Sequence, residues 1–308
     1  MKKTPDFRLP DFIGIGPFRT GSTWLHAVLK DYTNLPRGTK ETNFFADNYR
    51  RGIEWYAWHF RDRDDSRPAG EIGPYFGSPY VPARIARHIP DCKIFCALRD
   101  PVDRAYSHYK LFRHARVSNA SFEQSLAVNP AIAENSRYAF HLTGWQQQFG
   151  KENVLVTFYD DLRASPQSYV DSICDFIGIE RISLDKVRIN DQDFNRIETP
   201  AIHRRRARLA RHLVERLRSM RAYRTIDRLR RVGFWDFCYG GGEPYGPLPP
   251  DVDARVRERF RPEITALEEL VGRDLSAWKK PRVKSNDATG VENGIGAEAP
   301  AQPATAAR

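Results

Sequence analysis

The feature that most constrains this chain is the stretch Phe12-Ile13-Gly14-Ile15-Gly16-Pro17-Phe18-Arg19-Thr20-Gly21-Ser22-Thr23-Trp24 near the amino terminus. Its apolar start predicts a strand ending at Gly16. A turn follows, and Trp24-Leu25-His26-Ala27-Val28-Leu29 resumes at helical spacing. The N–H groups of such a loop, with the unpaired donors and positive dipole end of the helix it opens, make a concavity suited to a phosphate. On this stretch alone, a plain structural turn and a phosphate site both fit.

Gly16, four residues and then Gly21 is the spacing of a P-loop, but Ser22 stands where a nucleotide-hydrolysing loop needs lysine. That lysine reaches the β- and γ-phosphates of a triphosphate, so its replacement removes the γ-phosphate clamp. Arg19 places a cation inside the loop instead, followed by the small residues Thr20, Gly21 and Ser22. The pattern suits a 5′-phosphate that carries one transferable group.

Further along, Ala69-Gly70-Glu71-Ile72-Gly73-Pro74-Tyr75-Phe76 reads as a strand running into a Gly-Pro turn, and Lys93 to Leu98 and Val154 to Phe158 read as strands. Helical runs are expected over 24–29, 49–60, 81–89, 102–112, 121–128, 138–149, 166–177 and 251–271. This alternation predicts an α/β fold, a central parallel sheet flanked by helices in three layers. Arg99 falls at the carboxyl end of a strand, where open α/β sheets bind ligands, and Ser107 lies two turns into the helix that Pro101 opens. Glu41 sits beside Lys40 and just ahead of Phe44 and Phe45, which makes it a candidate base. Without other context the same pair reads as a surface ion pair contributing under about 1 kcal/mol. The aromatics Trp55, Tyr56, Trp58 and Phe60 read as core.

From His203 to Arg231 arginine dominates, and Leu209, Leu213, Leu217 and Met220 recur at helical spacing. This predicts an amphipathic basic helix, broken near Ala222, that covers the core. The net charge of +10 points to an anionic substrate or partner. Hydrophobic content of 41% fits a globular protein, and no apolar run nears the roughly 20 residues of a membrane span. No apolar stretch follows Lys2 and Lys3 to make a signal peptide, so a cytoplasmic location is expected. Cys92, Cys96, Cys174 and Cys238 are scattered, with no metal-ligand spacing, and read as small buried residues. Residues 1–280 are expected to form a single domain, and 281–308, poor in aromatics, a disordered tail.

Three segments in order, the 12–24 loop, Lys40-Glu41-Thr42-Asn43-Phe44-Phe45, and Arg99-Asp100-Pro101-Val102-Asp103-Arg104-Ala105-Tyr106-Ser107-His108-Tyr109, together resemble the sulfotransferases that use 3′-phosphoadenosine 5′-phosphosulfate (PAPS). The likeness is to the heparan sulfate N- and 3-O-sulfotransferase branch and its bacterial relatives. It spans roughly residues 11–180 and resumes at Leu275-Ser276-Ala277-Trp278. The resemblance implies a P-loop-like fold and PAPS as co-substrate, with Arg19, Thr20, Gly21, Ser22, Thr23 and Trp24 around the 5′-phosphosulfate. It further implies that Arg99 and Ser107 bind the 3′-phosphate, that Glu41 is the catalytic base, and that Arg19 neutralises the leaving oxygen. The acceptor would be a hydroxyl or amine, an acidic glycan being one candidate. No metal is expected, because the phosphosulfate is already an activated donor and the sequence shows no carboxylate cluster to hold one, and no nucleic acid is expected as a partner. Should the base not be Glu41, Glu71 and His108 come next. Two departures stand out: Arg19 replaces the family's usual lysine, and Gly240-Gly241-Gly242-Glu243-Pro244 occupies the place of a Lys-Gly-Arg loop that closes over the 3′-phosphate. Two other readings remain open, a P-loop-like phosphotransferase and a non-catalytic binder of acidic polymers through 203–231.

Overall fold

The computed structural model of the protein describes residues 9–281 except 62–63, 117–119, 189–203, 221, 223–224, 227, 230–231 and 240–244. The tail from 282 and the 240–244 glycine loop thus lie outside the described residues. Four strands, β1 (Phe12–Gly14), β2 (Gly70–Ile72), β3 (Lys93–Leu98) and β4 (Val154–Phe158), form one all-parallel sheet in the order β2-β1-β3-β4. The helices are α1 (Ser22–Leu29), α2 (Ile53–Ala57), α3 (Val81–His88), α4 (Pro101–Arg116), α5 (Phe122–Val128), α6 (Pro130–Glu134) and α7 (Tyr138–Phe149). They continue with α8 (Tyr159–Ala164), α9 (Pro166–Ile177), α10 (Arg204–Ser219), α11 (Phe234–Tyr239), α12 (Pro250–Val271) and α13 (Ser276–Lys279).

The strands read as continuous apolar runs because both sheet faces are covered. Ile13, Ile94, Cys96 and Leu98 point into one core with α3, α4, α7 and α12. Phe12, Phe95 and Ala97 point into the other, with α1 and α9. Alternate residues therefore feed opposite layers, which makes the three-layer α/β architecture. On α9 the buried residues Tyr169, Val170, Ile173, Cys174 and Ile177 recur at helical spacing, each large apolar one contributing roughly 1.5–3 kcal/mol. The four cysteines are buried free thiols.

The chain goes from β1 to β2 on one side and then returns to place β3 on the other. The strand order reverses between β1 and β3, and in open α/β sheets ligands bind at the carboxyl ends beside such a switch. The loop after β1 carries Arg19, and Arg99 directly follows β3.

Three expectations need correction. The helix expected over 49–60 is broken at Gly52, whose φ of 81° admits no right-handed helix, leaving a 3-10 turn at Tyr49–Arg51, α2, and another at Trp58–Phe60. The short helices α6 and α8 were not expected. On α10 the stripe does not cover the core: Leu209 is 70% and Met220 66% exposed, whereas the neighbouring Ala210 is buried. The residues counted as an apolar stripe straddle the helix's outer edge. Small Ala210 takes the inner position, and Leu209 and Leu213 stand outside among arginines.

Candidate active site

The loop after β1 is tied down before it turns. Ile15 N donates to Phe95 O at 2.9 Å and Ala97 N donates to Gly16 O at 3.2 Å, extending the β1–β3 pairing. Thr20 Oγ1 then donates to Pro17 O at 2.9 Å and closes the turn. Arg19 has a φ of 73° and Gly21 a φ of 88°. At Gly21 a Cβ would also sit 3.0 Å from Leu162 Cδ2, so both conformation and space call for glycine. Gly21 opens α1, whose first turn holds no acidic residue to offset its positive end. Trp24 is 3% exposed, its ring edge-on to Tyr169 in the core, so the group it can offer a ligand is its backbone N–H.

Arg99 and Ser107 form the basic side. Arg99 lies over the Tyr159 ring at 4.7 Å, its carbonyl accepts from Tyr138 Oη at 2.7 Å, and its Nη1 donates to Arg19 O at 3.4 Å. Arg19 Nε donates to Ser107 Oγ at 2.9 Å, so the loop, the end of β3 and α4 converge on one place. Burial, and then the charge of Arg99, pull the Arg19 guanidinium down to about 10, with Tyr159 opposing. Arg19 stays protonated at neutral pH. Two neighbouring guanidiniums, partly withdrawn from water, are what a bound phosphate relieves.

A second set of contacts holds this side in place. Asp100 Oδ1 accepts from Val102 N at 2.9 Å and Asp103 N at 3.3 Å, capping α4, while its Oδ2 accepts from Arg257 Nη1 at 2.6 Å. Arg257 also donates to both carboxylate oxygens of Asp253. The fully buried Arg104 donates through Nε to Ser136 Oγ at 2.8 Å. His108 stacks on Phe18 at 4.9 Å. Burial, then the charges of Arg104 and Arg19, pull it down to about 3, so it is neutral and packed rather than poised as a base.

Glu41 arrives from the other side. Lys40 Nζ donates to Glu41 Oε1 at 2.9 Å, to Thr23 Oγ1 at 3.1 Å and to Ser22 Oγ at 3.5 Å, joining the candidate base to the first turn of α1. The backbone here is pinned by Glu71. That residue is fully buried, and its Oε1 accepts from Thr42 N at 2.6 Å and from Thr42 Oγ1 at 2.7 Å. Tyr75 Oη donates to its Oε2 at 3.1 Å. Burial raises the Glu71 carboxyl above its ordinary value despite these bonds. Glu71 is an anchor for the segment that presents Glu41, and its oxygens are occupied.

Arg19, Arg99 and Ser107 are therefore linked by direct contacts, and Glu41 is linked to Ser22 and Thr23 through Lys40, the two sets meeting along the segment from the end of β1 to the start of α1. A hollow of about 1130 Å³ lies elsewhere, lined by residues of α3, α7 and α12, and holds none of these residues. It is a groove between helices without a converging set of cations. Among the described residues, no group of three or more His, Cys, Asp or Glu is placed to hold a metal, and no helix is long and apolar enough to cross a membrane. Lys40 and Glu71 are the residues whose place in the site was missed. The absent loop lysine was the signal that a cation had to come from elsewhere.

A parallel sheet with a glycine-bounded loop between β1 and α1, no P-loop lysine and two neighbouring arginines at its switch point defines an α/β protein of P-loop-like fold. The sulfotransferase domain model matches residues 9–200, and the chain belongs to the sulfotransferase family, the enzymes that use PAPS as donor. The bifunctional heparan sulfate N-deacetylase/N-sulfotransferase 3 of Homo sapiens is 31% identical over 202 residues, 58% of this chain and 23% of that protein. Bifunctional heparan sulfate N-deacetylase/N-sulfotransferase 1 of Caenorhabditis elegans is 28% identical over 190 residues, 56% of this chain and 22% of that protein. The match thus spans less than a quarter of the length of these curated relatives. The crystal structure of a sulfotransferase from Alicyclobacillus acidocaldarius shares the fold, with a TM-score of 0.64 at 22% identity over 89% of this chain and 100% of that one.

Proposed function

We propose that the chain moves the sulfuryl group of PAPS to a hydroxyl or amine of an acidic acceptor, with Glu41 as base. The observation that carries this reading is the linkage of Glu41, through Lys40, to the hydroxyls of the phosphate loop. Glu41 takes the proton of the acceptor as its oxygen or nitrogen bonds to sulfur. The bond from sulfur to the bridging oxygen breaks, releasing adenosine 3′,5′-bisphosphate (PAP). Loop N–H groups, that of Thr20 among them, and the hydroxyls of Ser22 and Thr23 bind the 5′ end, and Arg19 holds the charge that grows on the leaving oxygen. Arg99 offers a planar fork to the 3′-phosphate and Ser107 its hydroxyl. The arginines of α10, which packs against α4, border the acceptor cleft and draw in its negative charge. Residues 1–280 act as one catalytic domain.

Replacing Glu41 by Gln tests the base directly, since a positioned general base contributes about 10²–10⁴ in rate. The variant should lose turnover by that factor while binding PAP as the wild type does. Undiminished turnover with a labelled-sulfate donor would remove Glu41 from the role.

A further inference from the structure

We propose that Lys40 is the cation that faces the sulfuryl group during transfer, filling from a neighbouring segment the role left open by Ser22. The inference rests on the sulfotransfer reading above and assigns that site a further catalytic residue. Three distances carry it: Lys40 Nζ lies 2.9 Å from Glu41 Oε1, 3.1 Å from Thr23 Oγ1 and 3.5 Å from Ser22 Oγ.

An ordinary surface ion pair between sequence neighbours does not also reach loop residues 17 and 18 positions away. Those two hydroxyls open α1, where the helix's unpaired N–H groups gather an anion. An oxyanion seated there comes within hydrogen-bond range of the same ammonium. The three donors of Nζ can then keep Glu41 and exchange the loop hydroxyls for oxygens of the ligand. The loop's own cation also serves the α4 side, since Arg19 Nε donates to Ser107 Oγ at 2.9 Å. The two positive groups thus divide the site, Arg19 toward α4 and Lys40 toward Glu41.

The backbone that carries Lys40 is fixed on both sides. Thr39 Oγ1 donates to Glu41 O at 2.8 Å, and buried Glu71 holds Thr42 through its N–H and its hydroxyl. A charge held in place before the reaction costs no reorganisation when charge moves from the acceptor across sulfur to the leaving oxygen. Lys40 has a second effect on the base. By occupying Oε1 it orients the carboxylate, and Oε2 is the oxygen that takes the acceptor proton.

The test uses the full chain with Lys40→Met and Lys40→Arg, titrated with PAP and with PAPS in the absence of acceptor, alongside turnover. PAP lacks the sulfuryl group and should bind Lys40→Met as it binds wild type. PAPS should bind about ten- to a hundredfold more weakly, the loss expected of one charge-assisted hydrogen bond. kcat should fall by about 10²–10³, and Lys40→Arg should regain part of both losses. An unchanged ratio of PAPS to PAP affinity, with kcat close to wild type, overturns the assignment. So does an equal loss for both ligands, which would mark Lys40 as structural. Wild-type protein that binds neither nucleotide would instead overturn the donor reading, and this inference with it.

Discussion

Arg257 should govern the stability of the donor side. It is 1% exposed and donates to Asp100, which is 6% exposed, to Asp253, which is 4% exposed, and to the carbonyl of Trp278. Arg257→Met fills a similar volume but takes from two buried carboxylates the cation they share. Removing one partner of a buried ion pair costs about 3–5 kcal/mol, and a cation that serves two acids places this variant toward the upper end. For a domain of this size each kcal/mol shifts Tm by about 2–4 °C, so a fall of about 8–20 °C is expected in calorimetry at neutral pH. PAP affinity should fall as well, because Asp100 caps α4 beside Arg99. The triple change Arg257→Met, Asp100→Asn, Asp253→Asn removes those two buried charges as well and should recover much of the loss. A Tm within about 2 °C of wild type for Arg257→Met would refute the reasoning.

Two further outcomes follow from the same structure. Burial raises the Glu71 carboxyl above its ordinary value of 4.5, so the folded state binds the proton more tightly than the unfolded chain. The stability this contributes is present below that value and is lost as pH rises through the raised one. Glu71→Gln lacks this dependence, so the stability of wild type minus variant, from urea unfolding at several pH values, should shrink with rising pH; a gap that widens would contradict the burial argument. Changing the exposed Arg205, Arg208 and Arg216 of α10 to Gln should raise KM for an acidic acceptor and lower its salt sensitivity while PAP affinity stays put, as for rim charges in general. Unchanged acceptor kinetics would place the acceptor elsewhere.

Much of this architecture was legible because its signals are local. Buried strands announce themselves as compact apolar runs, and Pro101 and Ser121 mark helix starts that the structure keeps. The turn between β1 and α1 was visible through glycine spacing. What sequence could not give was contact between segments. Lys40 looked like one half of a surface pair because its other partners, Ser22 and Thr23, are reached only after the chain folds back. Glu71 looked like a spare base at a strand end, whereas its register opposite Ile13 buries it beneath Thr42. The outward turn of Leu209 was hidden because helical periodicity says which residues share a face and not which face meets the core.

The most direct test of the account is a calorimetric titration of the full chain with PAP. The account predicts saturable binding of one PAP per chain, weakened about ten- to a hundredfold by Arg99→Ala, which removes a charged hydrogen-bonding fork. Absence of binding, or tighter binding of magnesium ATP than of PAP, would contradict it.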